Sequence, residues 1–298
     1  MDFEDKDILN QRLEPSPGVL YVVGTPIGNL GDLSPRAKSL LQKVSVIACE
    51  DTRHSGHMLK HVGARATLLS FYQHNARHRL SQLLELLKGG ESLALISDAG
   101  LPGISDPGET LIHAARKAGH NVICIPGPCA ATTALVSSGL PCNRFCFEGF
   151  LPSKGKTRKE LLASIAEENR TTVIYESPHR LVKLLQELIQ FCGAERPLQI
   201  ARELTKLHEE QIGPTIGDAL QHFLENKPIG ECTLVLGGAP QHLETVQLSQ
   251  QELVAEMKVL IAEGASSNDA AKAIAQKYGQ SKRSLYSLLH DIKTINGK

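Results

Sequence analysis

Short apolar runs alternate with helical patterns from Val19 to Ile125, and that alternation restricts the fold more than any other feature of the chain. The runs VLYVV (Val19 to Val23), VSVIAC, ATLLSF, SLALIS and NVICIPG have the aliphatic and β-branched character of buried strands. Between the first two, Ala37, Leu40, Leu41 and Val44 recur at helical spacing behind a Ser34–Pro35 start. DTRHSGHMLKHVG reads as a helix stopped at Gly63, ARHRLSQLLELLKGG as a helix stopped by two glycines, and PGETLIHAARKAGH as a further helix. Strand and helix in this order predict a largely parallel sheet with helices on both faces.

The pattern restarts near Ala130 with AATTALVSSGL, RFCFEGF, KTRKELLASIAEEN, RTTVIYES, PHRLVKLLQELIQFCG, PLQIARE, TIGDALQHFLEN and ECTLVLGG. From Gln250 onward only helices are expected, in QELVAEMKVLIAEG, SSNDAAKAIAQKYG and SKRSLYSLLHDI. The predicted organisation is α/β throughout: a flexible leader over 1–17, an N-terminal α/β domain over 18–128, a second α/β domain over 129–240, and a small helix-turn-helix-like bundle over 249–293.

Three strands of the first half run into loops rich in glycine and proline: VVGTPIGNLGDLS, LISDAGLPGISDPG and PGPCAAT. The first is neither a dinucleotide fingerprint nor a Walker A loop. Glycines permit close backbone approach and prolines lower the entropy of fixing a loop, so three such loops on one sheet edge suit a ligand held by backbone groups. Tight turns that serve only the fold are the alternative. Two segments of the second half, YESPHR (Tyr175 to Arg180) and ARELTKLHEE (Ala201 to Glu210), place charged residues where strands end.

Composition excludes several classes. No apolar run approaches the length of a membrane span, and the acidic, polar start MDFEDKDILNQRLEPSP does not read as a secretory signal. Seven cysteines, with no C-x-x-C, predict reduced thiols and a cytoplasmic location. Cys142 and Cys146 lack two further matched ligands, so no metal is expected. With 32 basic and 32 acidic residues the chain has no uniformly basic coat, although SKGKTRK (Ser153 to Lys159) and KYGQSKRS are local basic patches.

VVGTPIGNLGDLSPRA, EDTRHSG, SDAGLPGISDPG, PGPCAATTALVSSGLP, FEGFLPSKGKTR, YESPHR and ARELTK together resemble one family across roughly residues 18 to 240. It is the family of small-subunit ribosomal RNA methyltransferases that modify the 2′-oxygen of a cytidine in 16S rRNA, within the tetrapyrrole (class III) methylase superfamily. The resemblance implies two α/β domains around a cleft that holds S-adenosyl-L-methionine, a homodimer, and 16S rRNA, within the 30S subunit, as partner. Carried over residue by residue, cofactor contacts fall on Pro26, Ser97, Asp98, Ala99, Gly100, Leu101, Gly103, Ile104, Ser105, Ala130, Ala131, Glu231 and Thr233. One position departs: the family commonly has threonine where this chain has Leu101.

A ribose hydroxyl must give up its proton to become a good nucleophile, so a base or a cation at the site is required. Glu203, Lys206 and Asp106 are the catalytic candidates, with Asp106 equally readable as the cap of a helix beginning at Pro107. Arg53, Lys154, Lys156, Arg158, Lys159, Arg180 and Arg202 are the candidates for RNA phosphates. Two other readings remain: a methylase of a tetrapyrrole or other small molecule, and a non-catalytic RNA-binding assembly protein.

Overall fold

The computed structural model describes residues 14–72, 74–240, 249–278 and 281–295. The chain divides into two compact units, with the break between Ala239 and Pro240. Residues 1–13 of the expected leader lie outside the described residues, as does part of the KYGQSKRS patch.

The first sheet contains β1 (Leu20–Val23), β2 (Val46–Cys49), β3 (Thr67–Ser70), β4 (Leu93–Leu95) and β5 (Val122–Ile125). Its order is β3-β2-β4-β1-β5, and every pairing is parallel. Successive side chains of a strand face opposite ways, and the core divides accordingly. Tyr21, Val23, Ile47, Cys49 and Ala94 pack against α1 (Pro35–Lys43) and α2 (Thr52–Val62). Leu20, Val46, Ala48, Leu93 and Leu95 pack on the other face against α3 (Ala76–Lys88) and α4 (Glu109–Lys117). Helix ends follow local chemistry: the Ser34 hydroxyl accepts from the Ala37 N–H at 3.1 Å, and Gly63 closes α2 with φ 79°.

Beyond this sheet come α5 (Ala130–Ser137), β6 (Phe145–Phe150), α6 (Lys156–Glu167), β7 (Thr171–Glu176), α7 (Pro178–Cys192), β8 (Leu198–Arg202), β9 (Glu210–Ile212), α8 (Ile216–Glu225) and β10 (Cys232–Leu236). The second sheet, β6-β7-β10-β8-β9, is mixed: only β6 and β7 run parallel. The short edge strand β9 has no counterpart in the hydrophobic pattern, because EQI holds a single aliphatic residue. One face packs α6, α7 and α8 through residues such as Leu162, Leu185 and Phe223. The other packs Ala131, Ala134 and Leu135 of α5, and also Ile27, from the loop after β1. Ile27 therefore joins the two sheets of this unit.

Arg196 is 5% exposed and donates to three carbonyl oxygens, of Gly237 (2.6 Å), Ala166 (3.1 Å) and Glu168 (3.1 Å). It thereby ties the C-terminal end of α6 to the segment just after β10. The second unit is a three-helix bundle, α9 (Gln250–Ala262), α10 (Ser267–Tyr278) and α11 (Lys282–Ile295), closed around Met257, Ala270, Ile274 and Leu285. Ser249 and Glu252 form a capping box at its start.

Candidate active site

The loops after β1, β4 and β5 meet at one edge of the first sheet, where the strands end. Thr25 and Gly100 exchange backbone hydrogen bonds of 2.9 and 3.1 Å, and the Thr25 hydroxyl donates to the Ser97 and Gly100 carbonyls, both at 3.3 Å. A Cβ on Gly24 would stand 2.7 Å from the Gly127 Cα, so these loops touch through bare backbone.

They wall a cleft of about 300 Å³ that also draws on the second sheet. Ala99, Gly100, Leu101, Ile104, Ser105, Ala130, Glu231 and Thr233 line it. Pro26, Ser97 and Asp98 border a smaller neighbouring pocket of about 160 Å³ instead. Gly103 faces a third cavity, and Ala131 is buried, its N–H donating to the Tyr175 hydroxyl at 3.0 Å. The cleft further includes Ile27, Cys129, Phe150, Tyr175, Glu176 and Pro178, none of them among the expected cofactor contacts. YESPHR had marked Tyr175, Glu176 and Pro178 as a strand end. Phe150 has no such signal, and it reaches the cleft by packing on Tyr175 with ring centroids 5.5 Å apart. Leu101 presents its alkyl chain toward Gly24, where threonine would bring a hydroxyl.

The three catalytic candidates differ in their surroundings. Asp106 lines the cleft, and burial pushes its carboxyl up to about 6, against a hydrogen bond from Ser97 and with added repulsion from Glu50 and Asp98. It does not cap a helix at Pro107: α4 starts at Glu109 with Gly108 as its cap residue, because Pro107 and Gly108 continue the loop. Ser105, just before it, holds a left-handed backbone (φ 59°), a strained conformation of the kind that clusters at functional sites. Lys206 and Glu203 pair with each other. The Lys206 ammonium donates to Glu203 Oε1 (2.9 Å) and Glu231 Oε2 (3.0 Å), while Glu203 Oε1 also accepts from the Glu231 N–H at 2.9 Å. Burial lowers the Lys206 value, but the two carboxylates outweigh it and the net shift is upward. Burial raises that of Glu203, and Lys206 with the Glu231 N–H outweighs it, leaving it lowered. A lysine held charged cannot serve as a base.

Glu176 Oε1 accepts from the Ser177 N–H (2.8 Å) and Arg180 Nε (2.7 Å), while the buried Oε2 has no partner among the described residues. A buried orphan acceptor costs about 1–3 kcal/mol. S-adenosylmethionine offers amine and hydroxyl donors and a broad apolar surface, and this cleft offers an orphan acceptor, backbone loops and apolar walls. The residues fit the group.

The basic candidates divide. Lys154, Lys156 and Lys159 are exposed, with Lys156 only loosely paired to Glu160 at 3.4 Å. Arg53 is exposed and pairs with Asp51 (2.9 Å). Arg180 pairs with Glu176 (2.6 Å) and Arg202 with Glu210 (2.7 Å). Arg158 contradicts expectation: its side chain is 4% exposed, pairs with Glu187 at 2.6 Å and donates to the Pro152 carbonyl at 2.8 Å. It lies on the inner face of α6, so it braces the fold rather than meeting phosphate.

The architecture and cleft are those of a methylase fold. The sequence profile of the Tetrapyrrole (Corrin/Porphyrin) Methylases matches residues 19–220. Among solved structures, a cobalt precorrin-4 methyltransferase from cobalamin biosynthesis aligns with TM-score 0.57 at 16% identity, covering 74% of this chain and 95% of that one. A Thermus thermophilus uroporphyrin-III C-methyltransferase, complexed with S-adenosyl homocysteine, aligns with TM-score 0.52 at 18% identity, covering 74% and 96%. Two curated relatives are far nearer in sequence. Ribosomal RNA small subunit methyltransferase I of Synechocystis sp. is 46% identical, over 91% of this chain and 97% of that protein. The protein of the same name from Haemophilus influenzae is 45% identical, over 90% and 95%. The chain belongs to the ribosomal RNA small subunit methyltransferase I family, and is an S-adenosylmethionine-dependent methyltransferase.

Proposed function

We propose that the protein methylates the 2′-oxygen of a cytidine ribose in 16S rRNA, acting on the 30S subunit, as a cytoplasmic homodimer. Among the described residues no helix is long and apolar enough to cross a membrane. The observation that carries the reaction is the position of Asp106, an ionisable carboxyl at the cleft with its affinity for protons raised to about 6. When bound, S-adenosylmethionine supplies an electrophilic methyl group on a positively charged sulfur. Ala99, Gly100, Leu101, Ile104, Ala130 and Thr233 hold it through the cleft walls, with Glu176 Oε2 as an acceptor for one of its donors.

The chain then has two tasks, orienting the ribose and removing its proton. Asp106 is mostly ionised at neutral pH yet binds a proton far better than an ordinary aspartate, which suits a general base for a hydroxyl. Lys206, held charged by Glu203 and Glu231, orients groups at the β8 end of the cleft. The exposed Lys154, Lys156 and Lys159 follow Phe150 in the chain and track RNA phosphates, with Arg53 beside the first sheet.

The deciding experiment maps methyl groups on 16S rRNA by mass after incubation of free rRNA and 30S particles with labelled cofactor. One added ribose methyl on a cytidine is expected. Transfer only to a precorrin-like substrate would replace this reading with that of a small-molecule methylase. Cofactor binding without transfer to any substrate would leave an assembly protein.

A further inference from the structure

Beside the cleft lies the cavity that Gly103 faces, a groove of about 660 Å³. Ser105 and Asp106 line both, so the two spaces meet at the proposed base. The groove is walled by the loop after β3, with Phe71, Tyr72 and His74, and by the strand end at Glu50. Phe71 is 2% exposed and anchors that loop in the core, whereas Tyr72 is 39% exposed. Tyr72 is held through Asn75, which accepts from the Tyr72 N–H at 2.9 Å and donates to the Ser70 carbonyl at 3.0 Å. Tyr72 and His74 meet edge to face with centroids 6.3 Å apart, leaving aromatic surface beside the cavity.

We infer that this groove receives the base of the target nucleotide, stacked on Tyr72, and that Glu50 selects a base with an exocyclic amine. The inference rests on the reading above that the substrate is an RNA nucleotide. Three features carry it together. Aromatic rings beside a cavity are the usual platform for an unstacked base. The lining holds carboxylates (Glu50, Asp106, Glu109) and, among the described residues, no lysine or arginine, so it suits a base edge rather than a phosphate. The continuity at Asp106 puts a ribose at the seam when its base is in the groove and the methyl donor in the cleft.

Glu50 differs from its neighbour. The Asp51 carboxylate is taken up by Arg53, whereas that of Glu50 has no hydrogen bond or ion pair among the described residues. A carboxylate accepts from the 4-amino group of cytosine and repels the 4-carbonyl oxygen of uracil. Asp51, Tyr72, His74, Asp98, Asp106 and Glu109 are the other titratable groups near this carboxylate and the groove, and none of them is a fixed cation.

The test uses the full chain saturated with S-adenosylhomocysteine and three RNA oligonucleotides differing at one nucleotide: cytidine, its pyrimidin-2-one analogue lacking the amine, and uridine. Wild type should bind the cytidine strand about tenfold more tightly than the pyrimidinone strand. Glu50→Gln should reduce that preference to within about twofold and improve uridine binding, because an amide can donate to O4. Tyr72→Ala should weaken the cytidine and pyrimidinone strands alike by about tenfold, with Tyr72→Phe restoring them. S-adenosylhomocysteine affinity reports whether each variant is folded. Equal wild-type affinity for the cytidine and pyrimidinone strands overturns the inference whatever the variants do, and so does full discrimination retained by a folded Glu50→Gln. Methyl transfer to 16S rRNA by wild type is measured in parallel: its absence sinks the substrate reading, while the binding series still decides base selection.

Discussion

Asp106 and Glu203 are both carboxylates in strained loops that follow strands, Asp106 lining the cleft and Glu203 bonded to Glu231, which lines it. Ser105 precedes Asp106 with φ 59°, while Glu203 and Thr205 have φ 53° and 67°. Their electrostatics are opposite. Glu203 has a lysine at 2.9 Å and a backbone N–H at 2.9 Å, which hold its charge in place. Burial pushes the proton affinity of Asp106 up, with a smaller push from Glu50 and Asp98 and a hydrogen bond from Ser97 acting against it. On the proposed mechanism the same functional group is a structural anchor in one loop and a proton acceptor in the other. Pairing decides which, more than the residue type.

Exchanging the charges separates the two most widely. Asp106→Asn should lower kcat by about 10²–10⁴-fold, the range of a lost general base, whereas Glu203→Gln should stay within about tenfold. Single-turnover methylation of 30S particles measures both, and equal losses would erase the distinction. The next largest effect concerns a cation that resembles Glu203 in being paired inside. Arg158→Ala should destabilise the first unit by about 3 kcal/mol, because Glu187 would lose its partner in a largely buried setting. Urea unfolding checks this, and RNA affinity of the folded fraction should not change. Replacing the exposed Lys154, Lys156 and Lys159 by alanine should do the reverse, weakening RNA binding and reducing its salt slope by roughly 2 while leaving stability alone.

A smaller effect follows from pH. Since Asp106 must be ionised to accept a proton, kcat/KM should climb about tenfold per unit up to pH about 6 and level off above. A profile flat down to pH 5 would remove Asp106 as the base. The smallest expected effect is on stability. The folded value of Asp106 lies above the 3.8 of an ordinary aspartate, so its protonated form favours folding below about pH 4, and that contribution is lost as pH rises through about 6. Asp106→Asn should therefore be about 1 kcal/mol more stable than wild type at pH 7.5, after discounting for partial exposure. For Glu203 the shift is downward, so its contribution is present above the usual glutamate value and lost on acidification. Glu203→Gln should be less stable than wild type at the same pH, by thermal melting.

The order and kind of elements in the first half were legible because the inner strands β1, β2 and β4 are buried on both faces and each helix on one, giving two distinct periods. The loops that wall the cleft were legible as glycine and proline at strand ends. Arg158 was misread because KTRK shows four residues of a basic run but not which face of α6 turns inward. Phe150 was missed as a cleft residue because its place there depends on β6 and β7 lying side by side, which sets it against Tyr175.

Local sequence, then, determined the alternating strands and helices, the caps at Ser34 and Gly63, and the rigid loops, all of which depend on neighbours within a few residues. Only the tertiary structure decided that the second sheet is mixed, that Ile27 crosses to it, and that Glu203 meets a lysine while Asp106 meets other acids. Those outcomes depend on groups distant in the chain, whose separation and dielectric surroundings exist only once both sheets have formed.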